Sequence, residues 1–238
     1  MLLKLVTACA VMGVGATLHG TVGFGMGLVA VPILALIDPV FVPGSVLFSG
    51  LVLAGLMACR ERRAMDVSGI KLGLVGRVLG TLIASVMLAQ MPTVEGMSVM
   101  LGALVLAAVL FSVSGWRIRP TKLALLGAGT LSGFMGTVAS VGGPPMALLY
   151  QDASGERLRS TMSGFFIVGT LISLAGLVLA GHFGLTELWA SLAMLPGVMI
   201  GFVVSRRALA FFDQGYTRPA VLAVSALSGV AVVLRALF

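Results

Sequence analysis

A chain of 238 residues that is 59% hydrophobic and 10% charged, with a mean hydropathy of +1.14, excludes a soluble domain, because such domains carry charge on about a quarter of their residues. Apolar stretches long enough to cross the roughly 30 Å hydrocarbon layer recur along it, and they lack the two-residue alternation of a membrane barrel. The formal charge of +7 sits mostly in short loops between these stretches, which reads as membrane orientation rather than nucleic-acid binding.

The first apolar run, about Leu5 to Ile37, contains His19-Gly20-Thr21-Val22-Gly23-Phe24-Gly25-Met26-Gly27 and then Pro32. It passes through these glycines without a polar cleavage region, so it is expected to be retained rather than removed as a signal. After the turn at residues 38–43, spans are predicted at about Gly44–Cys59, Ile70–Gln90 and Gly96–Gly115. A second broken run, Leu123 to Tyr150, carries Ser132-Gly133-Phe134-Met135-Gly136-Thr137 and Ser140-Val141-Gly142-Gly143-Pro144-Pro145. Spans follow at about Ser160–Ala180, Leu185–Val204 and Ala220–Leu234. Cys9 and Cys59 are far apart and have the spacing of neither a disulfide framework nor a metal site, and neither cofactor nor metal is expected.

The broken runs are two copies of one motif. Adding 113 to Gly20, Gly23 and Pro32 gives Gly133, Gly136 and Pro145. Basic loops at Arg60, Arg62, Arg63 and Lys71, at residues 117–122, at Arg157 and Arg159, and at Arg206, Arg207 and Arg218 are placed on the cytoplasmic side. The run from Leu123 to Tyr150 then starts and ends inside, as a re-entrant hairpin of two short helices, and by duplication the first run does the same from outside. The expected architecture is an all-α polytopic membrane protein of two inverted-topology repeats, residues 1–116 and 123–238 joined by a cytoplasmic linker at 117–122. Each repeat is one re-entrant hairpin with a glycine-rich break plus three transmembrane helices, and both termini are periplasmic. Of the 15 Lys and Arg, all but Lys4 and Arg235 fall inside, counting Arg77.

Backbone that leaves the helix inside a bilayer exposes groups costing several kcal/mol each, so it persists where protein or a wet cavity satisfies it. Two such breaks facing each other describe a transport site near the midplane. Glycine lets backbone amides approach a ligand, and the helix restarting after a break aims its positive end at it, which suits an anion. The candidate substrate-binding residues are His19, Gly20, Thr21, Gly23, Gly25, Gly136, Thr137, Ser140, Gly142, Gly143 and Pro144, with Pro32, Gly133 and Pro145 as structural members. His19 is the one titratable side chain at either break. Arg77 and Arg206 are candidates for the path or a cytoplasmic gate, with snorkelling to the interface favoured for Arg77. Gly76-xxx-Gly80 and Gly197-xxx-Gly201 are read as helix-packing sites. All eight acids fall in predicted loops or span ends, so no intramembrane carboxylate is expected as a proton or sodium relay. An inside-negative potential would drive anions outward unaided.

At these motifs the chain resembles the TauE/SafE family of membrane permeases, the sulfite exporter family. The resemblance rests on Gly20 to Gly27 with Pro32, on Ser140 through Tyr150, of which Gly142-Gly143-Pro144-Pro145 is the most specific piece, and on Leu195-Pro196-Gly197 with Gly201 ahead of Arg206. It implies a transporter of sulfite, sulfoacetate or other organosulfonates in a bacterial inner membrane, not an enzyme. The expected partners are a small sulfur-containing anion and the lipid bilayer, with a homodimer left open. The alternatives are an ion-coupled importer of a related anion or small metabolite, a channel, and an intramembrane enzyme or assembly factor. Against the last, no Ser/His/Asp, His-rich or carboxylate constellation falls at membrane depth.

Overall fold

The computed structural model describes residues 2–61, 64–90, 94–114, 116, 118–212, 230–231 and 234. Among them there is no strand. The helices are α1 (Leu2–Val22), α2 (Met26–Ile37), α3 (Gly44–Arg60), α4 (Val67–Ala89), α5 (Val94–Val113), α6 (Lys122–Ala139), α7 (Gly143–Leu149), α8 (Gly155–Leu179) and α9 (Leu185–Phe212). A 3-10 turn at Pro39–Phe41 precedes α3. Among the described residues six segments, α1, the turn with α3, α4, α6, α8 and α9, are long and apolar enough to cross a membrane. The protein is an all-helical, multi-pass membrane protein. The predicted span at about 220–234, apart from residues 230, 231 and 234, lies outside the described residues, as do Asp213, Arg218, Arg62, Arg63 and Arg117.

The sequence of α4 is arranged inside-out. Its buried face carries Gly69, Gly73, Gly76, Gly80 and Ala84, while Val75, Leu79, Leu82, Ile83 and Val86 are more than half exposed on the other face. Lipid solvates bulky aliphatic groups as well as a protein core does, so such a helix gains most by turning its small residues inward, where backbones can approach. A Cβ on Gly76 or Gly80 would strike the carbonyls of Leu126 and Thr130, and one on Gly129 or Gly133 would strike those of Gly73 and Arg77. On the other side of the molecule, Gly197 and Gly201 of α9 sit against the carbonyls of Cys9 and Gly13 of α1. The two glycine pairs pack as the sequence predicts. Pairings α4 with α6 and α1 with α9 are the most extensive in the fold, and α3 crosses α8 between them.

Each broken hairpin returns to the end of the bundle it leaves. Lys4 Nζ, at the start of α1, meets Asp38 Oδ2, just past α2, at 3.0 Å. Gln151 Nε2, just past α7, donates to the carbonyl of Trp116, ahead of α6, at 2.5 Å. These are opposite ends: Ser45 at the start of α3 donates to the Glu187 carbonyl near the first, whereas Arg60, Glu61 and Arg159 join at the second. Two expectations are corrected. The first arms are not short, since α1 has 21 residues and α6 has 18. Gly20, Thr21, Ser132, Gly133, Gly136 and Thr137 are all still helical, because Gly20 and Gly133 pack closely within the bundle and the three hydroxyls bond other protein groups, and the chain leaves the helix only further on.

The second hairpin is fastened at Asp66, the N-cap of α4. Its Oδ1 accepts from the N–H of Gly69 at 3.0 Å and from Ser68 at 2.9 Å, and its Oδ2 accepts from the Tyr150 hydroxyl at 3.1 Å. The Gly69 hydrogen bond, aided by those from Ser68 and Tyr150 and by the charge of Arg157, outweighs partial burial and holds the carboxyl below its usual 3.8. A folded-state pKa lowered in this way contributes stability that is complete above 3.8 and is lost as pH falls through the folded value. Thermal unfolding of the detergent-purified protein is therefore expected to shift down on acidification below about pH 4. In Asp66→Asn the neutral-pH stability should be lower and this acid dependence shallower; an unchanged acid limb would show that Asp66 contributes none of it.

Candidate anion-binding site

The chain leaves α1 at Gly23 (φ 94°) and Gly25 (φ 112°), conformations that L side chains rarely adopt. It leaves α6 at Ser140, which takes the left-handed region at φ 53° and is fixed there by its hydroxyl donating to the Pro43 carbonyl at 2.8 Å. The two breaks pass each other in contact. Gly27 lies against the Ser140 carbonyl so closely that a Cβ would overlap it, and a Cβ on Gly143 would come 2.9 Å from Cβ of Phe24. Gly27 and Ser140 differ by the same 113 positions that relate the two motifs.

Between them lies a cavity of about 50 Å³, room for a few waters or one small anion. The breaks supply Gly25, Met26, Gly27 and Leu28 from one side and residues 140–144 from the other, with His19, Gly136 and Arg77. Helices α3 and α8 close it with Val46, Leu47 and Gly50 and with Phe166 and Thr170. Arg77 lies near the middle of α4, and Phe166 and Thr170 near the middle of α8.

Arg77 does not snorkel. Its side chain is 1% exposed, because Gly73, Gly76, Gly80 and Ala84 put its helix face against α6, and Gly136 and Gly169 leave the space its guanidinium occupies. Nη1 donates to Ser132 Oγ at 3.0 Å and Nη2 to Ser173 Oγ at 3.2 Å. The Phe165 and Phe166 rings stand 5.0 and 5.9 Å from Cζ. No ion pair among the described residues includes it, and its Nε is buried with no hydrogen-bond partner. The positive charge is thus held in place but not neutralised. Few arrangements favour anion binding more directly, since a buried cation without a counter-ion costs several kcal/mol that an anion would relieve.

Other donors converge on the same space. His19, 6% exposed, leaves its Nε2 without a hydrogen-bond partner among the described residues, and its ring lies 5.5 Å from that of Phe166. The first-turn N–H groups of α2, at Met26, Gly27 and Leu28, have no carbonyl within their own helix to bond. At α7 the helix starts Gly143-Pro144-Pro145. The prolines fit a first turn but remove two of its donors, so α2 offers the stronger positive end.

Of the residues read from the sequence, His19, Gly25, Gly136, Ser140, Gly142, Gly143, Pro144 and Arg77 line the cavity. Thr137 stands one step behind it, donating to Ser173 Oγ at 3.0 Å and facing Thr81 Oγ1 at 3.1 Å, in the hydroxyl chain that ends on Arg77. Ser132 donates to the Gly142 carbonyl at 2.5 Å and so ties the break to Arg77. Gly20, Thr21 and Gly23 lie beyond the cavity, near Ser205, Arg60 and Arg159. Pro32 lies within α2, Pro145 in the first turn of α7, and Gly133 at the α4 crossing. Arg206 is exposed, 5.6 Å from the Phe202 ring. Phe166 and Thr170 carry no signal in an unbroken apolar span, whereas the burial of Arg77 is written in the small residues that share its helix face.

Membrane-crossing helices gathered around a polar cavity where two helix breaks meet have the build of a secondary transporter. The chain belongs to the TauE/SafE sulfite exporter family: the family model described as Sulfite exporter TauE/SafE matches residues 7–232, nearly its whole length. This is a family of membrane transporters. No curated protein and no solved structure matches the chain.

Proposed function

We propose that this protein exports small sulfur-containing anions, sulfite, sulfoacetate or other organosulfonates, from a bacterial cytoplasm through the cavity at Arg77. The observation that carries the reading is the guanidinium itself, buried, oriented by two serines and lacking a counter-ion among the described residues. A sulfite or sulfonate head group presents oxygens to which Arg77 Nε, His19 and the N–H groups opening α2 can donate together. Hairpins entering from opposite ends, with α1 paired to α9 as α6 is to α4, support two inverted repeats around a site near the membrane midplane. The gathering of Arg60, Arg159 and Arg206 at one end supports a cytoplasmic assignment for that end and a periplasmic N-terminus.

The described acids all lie at helix ends or in loops, so the driving force assigned is the membrane potential, about 2.3 kcal/mol per charge per 100 mV. Proteoliposomes loaded with sulfite, sulfoacetate or taurine test this. Saturable efflux of an anion is expected, faster when the outside is made positive, while taurine, with no net charge, should not respond to potential. Gly142→Leu, whose side chain would be driven into Ser132, should lose the flux. A strict need for sodium or protons, or inward accumulation, would overturn export driven by potential.

A further inference from the structure

A second cavity, of about 120 Å³, lies on the arginine side of the first and is lined by Val22, Phe24, Pro144, Leu148, Gln151 and Leu158. Pro144 borders both cavities. Phe24 lines the second cavity and its Cβ packs on Gly143, which lines the first, and its half-buried side chain joins two apolar clusters. Just ahead of Phe24, two carbonyls at the open C-terminal end of α1 are held by arginines. Arg60 Nη2 donates to Gly20 O at 2.6 Å, and Arg159 Nη1 to Thr21 O at 3.5 Å. Glu61 bridges the pair, at 3.1 Å from Arg60 Nε and 2.7 Å from Arg159 Nε.

We propose that residues 20–25 are the gate on the arginine side of the cavity, with Phe24 as the stopper, Gly23 and Gly25 as its hinges, and Glu61 as the latch that keeps Arg60 and Arg159 on the α1 carbonyls. This rests on the reading of the central cavity as the transport site. The three latch side chains are only 11–16% exposed. In such a setting Glu61 is what allows two guanidiniums to share one site, and its removal leaves them facing each other uncompensated. The α1 terminus then loses its grip, and the positive-φ glycines let Phe24 swing out of the passage between the cavities.

Side-specific thiol modification tests this without depending on the substrate. In a Cys9→Ala, Cys59→Ala background, Thr170→Cys places a probe thiol in the central cavity, and 2-sulfonatoethyl methanethiosulfonate is added to one face of sealed vesicles at a time. Phe24→Ala and Glu61→Gln should each speed modification from the arginine side by about tenfold, as a tenfold larger open population would, and leave the rate from the opposite side unchanged. Phe24→Trp should not speed it. Phe24→Leu serves if the alanine variant does not fold. Unaltered rates in either the Phe24 or the Glu61 variant, or equal acceleration from both sides, would overturn the gate. Failure of the anion site is read elsewhere, as normal sulfite flux in Arg77 variants.

Discussion

Arg77→Gln is expected to abolish saturable sulfite efflux while leaving a protein that folds at least as well as the parent. Truncating one partner of a buried, hydrogen-bonded charge pair costs about 2–5 kcal/mol of binding, roughly thirtyfold or more in affinity. The unliganded fold loses no counter-ion in this change, because Arg77 has none among the described residues. The neutral amide removes a desolvated charge, so the empty protein should unfold at the same temperature or higher. That sign separates a binding role from a structural one. Sulfite should raise the unfolding temperature of the parent, as any ligand of the native state does, and should not raise that of Arg77→Gln. Arg77→Lys keeps the charge but lacks the planar fork that reaches Ser132 and Ser173 together, so intermediate flux is expected. An Arg77→Gln protein that unfolds early and still transports would show that the guanidinium braces the fold and nothing more.

Gly80→Leu should have the largest effect on folding. A Cβ there would overlap the Thr130 carbonyl and come 2.8 Å from the Phe134 amide nitrogen, both backbone atoms that cannot turn away. Helices α4 and α6 would have to separate along their whole crossing, beyond the usual cost of about 1–3 kcal/mol for overpacking a core. Gly201→Leu should do the same at α1 and α9, where the obstacles are the Gly13 carbonyl and the Thr17 nitrogen. Gly127→Leu is the control, because nothing among the described residues lies within 4 Å of its would-be Cβ. The measurement is the yield of monodisperse protein after detergent extraction, with sharp losses expected for Gly80 and Gly201 and none for Gly127.

Much of this was legible in the residues. Continuous apolar runs marked the helices, and the spaced glycines on α4 and α9 marked the tight crossings. The breaks were placed less well, because a glycine leaves a helix only where its φ demands it. Gly20, Gly133 and Gly136 are still helical, while the α6 break turns at Ser140, a residue type that gives no such notice. Snorkelling is favoured for Arg77 in the sequence, yet Gly73, Gly76, Gly80 and Ala84 on the same face already require it to point inward. Phe166 and Thr170 reach the cavity through the α3–α8 crossing, a tertiary fact with no local trace.

The reciprocal pairing of α1 with α9 and α6 with α4 has a mechanical meaning. The long arm of each broken hairpin is clasped by a helix from the other half of the chain, through glycine contacts too close to slide without separating. The bodies that can shift against one another are therefore these interlocked pairs, and neither half of the sequence could move, or be expressed by itself, without leaving its own hairpin unsupported.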